Sequence, residues 1–353
     1  MSYERIIKAV NVDNFGSIAQ SETLDHPDYV KKITGIDPFE NPQEAFLRAI
    51  KKLDIDWVAS VPKRANKFAE GETKKETENG YITQWGFTGS YWSHRDEFHD
   101  IEDVYNHDPF KKYDSEEQLR DNIRAIIKGV LDDQSLLNGA AVVSGLHYTT
   151  LFMWFVVTFG WESFMTAAAS DPDRFEVCLE RYTRLSCIYA EEYAVSKLPF
   201  FFCHDDLALT RGLVFAPEWY RKYIFPAYER IFEPFKKAGK KIVFVSDGNF
   251  SVLIDDLFAV GVDGLMVDWT IDLEKLLKKY GQKKLIAGNA DTAILTFGTR
   301  EDVRKEVLRC INAGRDAGGY VLKCSNDMPH NIPLENIEEY FNTVAEYNAG
   351  KSV

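Results

Sequence analysis

From about residue 199 the chain repeats one theme: a short apolar run ending in Asp or Asn, then a longer amphipathic stretch rich in Glu, Lys and Leu. The runs are PFFFCHDD (199–206), KIVFVSDGN (241–249), GLMVD (264–268), LIAGNAD (285–291) and GYVLKCSND (319–327). Brief runs of this kind separated by helical patterns predict βα alternation, because successive parallel strands can be joined only by a long crossover. Upstream, AAVVSGLHY (140–148) and DWVASV (56–61) supply two earlier strands. Both a doubly wound sheet and a closed barrel suit such a series, but no GxGxxG opens a helix, so the dinucleotide-binding sheet lacks its fingerprint. The expectation is an α/β chain forming a single (β/α)8 TIM-type barrel over residues 1–353. Residues 1–115 are its N-terminal extension and insertion, and the polar, irregular stretch from 62 to about 115 lies over the barrel mouth. One linking segment, PEWYRKYIFPAYERIFEPFKKAG, reads as a helix that Pro226 and Pro234 should kink or split.

Composition narrows the function classes. With 45% hydrophobic and 14% aromatic residues the chain can bury a large core. A net charge of -13 without a basic stripe argues against nucleic acid as a partner. Five scattered cysteines, none in a CxxC pair, signal neither a disulfide framework nor a zinc knot and fit a reducing cytoplasm. The N-terminus has no secretory pattern, and the most apolar run, Leu151 to Phe159, is too short to span a bilayer. A cytoplasmic protein with no membrane partner is expected.

In a barrel, chemistry sits where strands end, so the polar residues closing the apolar runs are the candidates. They are His147, His204, Asp205, Asp206, Asp247, Asn249, Asp268, Asn289, Asp291, Cys324, Asn326 and Asp327. The plainer alternative is that Asp and Asn here cap the following helices. Capping explains the triple His204-Asp205-Asp206 poorly. Adjacent carboxylates on a strand point to opposite faces, so only one of Asp205 and Asp206 looks inward, and sequence does not say which. The aromatic stretch after the 140–148 strand packs as core by default, yet Trp154, Phe155 and Trp161 could wall a pocket, with Tyr91 and Trp92 descending from the insertion as a lid. His94, His99 and Asp100 carry potential metal ligands at a spacing that is not a helical pair.

The segments HDDLALTRGLVFAPEWYRKYIFPAYERIF, FVSDGNFSVLIDDLFAVGVDGLMV, IAGNADTAILTFGTREDVRKEV and GGYVLKCSNDMPHNIPLENIEEYF resemble successive blocks of the uroporphyrinogen decarboxylase-like superfamily. The resemblance covers about residues 140–345 and implies a (β/α)8 barrel with a deep cleft. It implies either porphyrinogen decarboxylation or methyl transfer to and from corrinoids. True decarboxylases carry an arginine-rich motif resembling WFMRQAGR, which is missing before residue 140; Arg95, Arg211 and Lys63 are the available cations. The coenzyme M methyltransferases hold zinc with His-x-Cys and a later Cys. Here those places are Val245, Asp247 and Asn326, so the thiol-activating set is absent, and zinc held by other ligands stays open with no set named.

The branch that remains demethylates a small methylated substrate, above all an aromatic methyl ether, and passes the methyl group to cobalamin on a separate corrinoid protein. For that O-demethylation the expected catalytic groups are His204, Asp205, Asp206 and Asp247. The expected substrate contacts are His147, Trp154, Phe155, Tyr91, Trp92, Asn249, Asp268, Asn289 and Asn326. The alternatives are a carboxy-lyase, methyl transfer from a methylamine or betaine, and a non-catalytic binding barrel.

Overall fold

The structure is a computed structural model that describes residues 2–14, 16–67, 72, 74–77, 80–83, 87, 90–93 and 100–351. Its strand segments alternate with helices, as an α/β barrel sequence requires: β1 (Ala19–Gln20), β2 (Trp57–Val58), β3 (Val142–Val143), β4 (Phe201–His204), β5 (Ile242–Ser246), β6 (Gly264–Val267), β7 (Leu285–Ala287) and β8 (Tyr320–Leu322). All seven strands expected from the sequence are present. β1 is the addition: two residues, one of them the polar Gln20, are too brief a run to announce a strand.

The chain divides into two compact units, each discontinuous in sequence. The first holds residues 1–94, 132–143 and 265–353. Within it β1 runs parallel to β8, with Ala19 opposite Val321, and β8 runs parallel to β7. A bridge from Ser21 to Trp57 ties the end of β1 to β2, and β2 runs parallel to β3. The stretch expected as irregular insertion contains a three-stranded antiparallel sheet, Lys74–Thr77, Gly80–Thr83 and Ser90–Ser93. Its mostly polar strands have no apolar alternation, which is why sequence reading passed over it. Tyr91 and Trp92 belong to its last strand, whose side chains lie outside the described residues, as do His94, Arg95 and His99.

The second unit holds residues 95–131 and 144–264. β4 and β5 run parallel, and a bridge from His147 to Cys203 continues the chain after β3 onto β4. Two long helices pack beside them: α1 (Phe152–Ser170), kinked at Gly160, and α2 (Pro172–Val195). The segment carrying two prolines splits once. Pro217–Trp219 leads into a π-helical turn, Tyr220–Ile224, and then α3 (Phe225–Ala238). Pro226 sits in the first turn of α3, where its missing N–H costs nothing, whereas Pro234 lies inside an unbroken helix. A further helix of the first unit, α4 (Leu334–Asn348), packs Tyr340 and Phe341 inward.

Candidate active site

Strand alternation decides the roles of the two adjacent aspartates after β4. Asp205 is fully buried on the helix-facing side, where its carboxylate accepts the backbone N–H groups of Leu151, Phe152 and Met153 at 2.7–2.9 Å and the hydroxyl of Tyr228 at 2.5 Å. It therefore closes the N-terminus of α1 and anchors α3; burial raises its carboxyl to about 6 in spite of these donors. A carboxylate so enclosed does not touch a substrate, which moves Asp205 out of the catalytic set expected from the sequence.

His204 and Asp206 share the other face. Asp206 Oδ1 lies 2.8 Å from His204 Nε2 and also accepts the backbone N–H of Asp247 at 2.9 Å. His204 Nδ1 faces the carbonyl oxygen of Tyr148 at 3.3 Å. Carboxylate and carbonyl oxygens only accept, so this arrangement favours a proton on each ring nitrogen, the imidazolium form. Burial works against that charge, but the hydrogen bond and negative field of Asp206, helped by Asp205 and Asp247, outweigh it and raise the histidine above its ordinary range. The same pairing overcomes burial at Asp206 and lowers its carboxyl.

Asp206 Oδ2 has no hydrogen-bond donor among the described residues, and its side chain is 19% exposed. The ring of the exposed Tyr148 lies 4.4 Å from that of His204, and Asp247 is exposed at the end of β5. Gly248, next in the chain, has φ +73°, and a Cβ there would stand 2.5 Å from the carbonyl oxygen of Leu209. Only glycine lets this loop pass the hairpin 208–213 and aim the Asp247 N–H at Asp206.

Other expected contacts are absorbed by structure. His147 is buried against Tyr189, Tyr193 and Phe201, and burial lowers it to about 4, so it is a neutral packing group. Phe155 is fully buried among Phe159, Phe164, Phe175 and Tyr182, and Trp154 edges a separate cleft of about 310 Å³ beside His107 and Lys112. Asn249 accepts from the N–H and hydroxyl of Ser251 in its own turn. In the first unit, Asp268 accepts from the N–H of Thr270 in its own turn, and Asn289 donates to the Asp268 and Ile271 carbonyls while accepting from Arg309. Asn326 is exposed and bonds to the N–H of Asp327.

The first unit contains a residue that sequence reading missed. Glu22, just beyond β1, is buried and accepts from the Tyr340 hydroxyl, the Cys324 backbone N–H and the Cys324 thiol, the last at 3.1 Å. Only its place two residues after Gln20 in the undetected strand could have flagged it. Burial and the negative Glu22 push the Cys324 thiol well above its ordinary value, the reverse of what a zinc thiolate needs. Val245 offers no donor atom, and among the described residues no three His, Cys, Asp or Glu side chains are grouped to hold a metal ion. The thiol-activating zinc set does not fit these residues. Beside Glu22 lies a cleft of about 500 Å³ also lined by Asp25, Asp133, Lys63 and Arg64.

Comparison with known proteins agrees with this architecture. The family model described as uroporphyrinogen decarboxylase matches residues 98–347, well over half of the chain. The curated uroporphyrinogen decarboxylase of Trichodesmium erythraeum is 28% identical over 137 residues, 38% of each chain. That of Pseudoalteromonas atlantica is 23% identical over 185 residues, 52% of this chain and 51% of the relative. The chain thus spans from over a third to about half of the length of these curated relatives. A solved methyltransferase from Methanosarcina mazei superposes with a TM-score of 0.63, covering 98% of both chains at 17% identity, and so shares the fold. No helix among the described residues is long and apolar enough to cross a membrane. With strands that alternate with helices as the fold demands and a family match running from residue 98 to 347, the chain belongs to the uroporphyrinogen decarboxylase family.

Proposed function

We propose that this protein is a methyltransferase that takes the methyl group of a small methylated substrate, above all an aromatic methyl ether, and delivers it to a corrinoid carried by a partner protein. The observation that supports this reading is the His204–Asp206 pair: a stored proton beside a partly exposed carboxylate at a strand end. Breaking a methyl–oxygen bond leaves a phenolate, a poor leaving group unless a proton reaches the oxygen as the bond breaks. The corrinoid would supply the methyl acceptor.

The protein's own part is to hold and move the proton. The imidazolium of His204 passes its Nε2 proton to Asp206 Oδ1, and Asp206 gives that same proton on to the departing oxygen, so that His204 ends neutral, Asp206 ionised and the product a phenol. A phenol ionises near pH ~10, so the transfer runs downhill from either group. His204 then regains a proton from solvent, while the Tyr148 carbonyl and the Asp247 N–H keep the pair in place.

A carboxy-lyase acting on a polycarboxylate would need a cluster of cations. Arg211 is exposed, Lys63 is ion-paired to Asp133, and the first unit's cleft carries three acids beside Lys63 and Arg64. The deciding experiment is anaerobic: full-length protein, reduced cobalamin and a panel of methoxylated aromatics, with the visible spectrum reporting cobalamin methylation. Methylation with an aromatic ether, lost in Asp206→Asn, supports the proposal. No methylation with any donor, with a natural corrinoid protein also supplied, overturns it in favour of the lyase.

A further inference from the structure

The cleft of the first unit sorts charge by depth. Glu22, Asp25 and Asp133 line it as buried residues, while Lys63 and Arg64 line it as exposed ones. The carboxylates are not equivalent. Glu22 is taken up by Tyr340 and Cys324, and Asp25 Oδ1 accepts the N–H of Phe87 at 3.0 Å. Asp133 is 7% exposed; its Oδ2 accepts the Val61 N–H at 3.4 Å, but Oδ1 has no hydrogen bond. Lys63 Nζ stands 3.2 Å from that oxygen, an ion contact out of hydrogen-bond alignment, at the end of a side chain that is 58% exposed.

This buried oxygen has an ion contact with a flexible, exposed lysine in place of an aligned hydrogen bond, so a better-aligned cationic donor can displace the lysine. The acids here do not form a group able to hold a metal ion among the described residues. Phe46 and Phe87 also line the cleft, and aromatic rings beside a carboxylate favour a weakly hydrated organic ammonium. The volume, about 500 Å³, is that of a small-molecule site. The exposed Lys63 and Arg64 supply the opposite charge at the mouth.

We propose that this cleft binds a small organic zwitterion, its ammonium toward Asp133 and its anionic group toward Lys63 and Arg64. Binding exchanges partners: the ammonium takes the Asp133 oxygen that Lys63 now neutralises, and the flexible lysine turns to the ligand's anion. The inference rests on the cleft's own charges and not on the methyl-transfer reading.

The test is titration calorimetry on the full chain with trimethylammonium carboxylates carrying one to five methylenes between the charges. The controls are the carbon isosteres lacking the positive nitrogen and the matching alkyltrimethylammonium cations. One spacer length should bind, with its isostere at least tenfold weaker. Asp133→Asn should weaken binding at least tenfold, and Arg64→Gln should weaken the zwitterion but not the plain cation. Circular dichroism checks that both variants fold; should Asp133→Asn not, the Arg64→Gln arm still decides. Absence of binding throughout, equal affinity for the isostere, or a plain cation that binds as tightly as the zwitterion overturns the proposal. The readout is binding, so it fails or succeeds separately from turnover.

Discussion

Asp205 and Asp206 are neighbours in the chain, yet they serve opposite faces of β4: one carboxylate closes the N-terminus of α1 and the other pairs with the His204 imidazole at 2.8 Å. The two positions should respond to mutation in opposite ways. Asp205→Ala strands three backbone donors and the Tyr228 hydroxyl in the core, and each buried unsatisfied group costs ~1–3 kcal/mol. Urea unfolding should show a loss of ~3 kcal/mol or more. Asp206→Asn should cost ~1 kcal/mol and instead lower kcat by 10²–10⁴, the usual range for a lost proton donor. Equal stabilities for the two variants would overturn this division.

The ion pair carries a pH signature. His204 is raised above its ordinary 6.5, so its contribution is complete below that value and disappears as pH rises through the higher folded pKa. Asp206 is lowered from 3.8, so its contribution is complete above that value and is lost as pH falls through the lower folded pKa. The stability difference between wild type and Asp206→Asn should therefore be greatest from roughly pH 4 to 6.5 and shrink toward alkaline pH. The His204 ring resonance in proton NMR should titrate above 6.5. A midpoint below that value would mean the ring is neutral at pH 7.

Gly248→Ala tests the loop that presents the Asp247 N–H. The new methyl would meet the Leu209 carbonyl at 2.5 Å in a backbone conformation of positive φ, a strain of ~1–3 kcal/mol. The expected result is a lower Tm together with a His204 titration shifted down, because Asp206 loses one of its two supports. An unchanged histidine would show that the Asp247 N–H does not position the carboxylate.

Thiol reactivity follows burial. Cys178, Cys203, Cys310 and Cys324 are buried, and Cys187 is half-buried on α2. Burial raises all five thiols. Native protein should react slowly with an aromatic disulfide reagent, and first at Cys187, whereas denatured protein should release five equivalents. Rapid native labelling of Cys324 would contradict its enclosure by Glu22.

The apolar runs made seven strands legible because burial demands them. What remained hidden was parity and partnership. Whether Asp205 or Asp206 faces the helices depends on which residue ends β4, and no property of the pair itself reveals that. Capping, the plainer alternative, proved right for Asp291, whose carboxylate accepts from Ala293 at the start of the next helix, whereas Asp268 accepts from Thr270 in a turn and leaves the cap of its helix to Asp272. Neither His147 nor Phe155 could be separated from pocket-wall residues by type, since aromatic groups near strand ends pack against helices as readily as against ligands. Glu22 was invisible for a different reason: its strand is two residues long, and its importance comes from Tyr340 and Cys324, far away in sequence.

That last connection has a consequence for biosynthesis. β1 is paired with β8, the Ile18 N–H is bonded to Asn348 at 2.8 Å, and Glu22 is held by Tyr340. β1 and Glu22 thus depend on partners that are translated only after the segments of the second unit, 95–131 and 144–264, are complete. During translation the N-terminal portion must wait with its pairing edge open. A nascent chain stalled before residue 320 should therefore be a client for chaperones, protease-sensitive in residues 1–60 and already protected in α1 to α3.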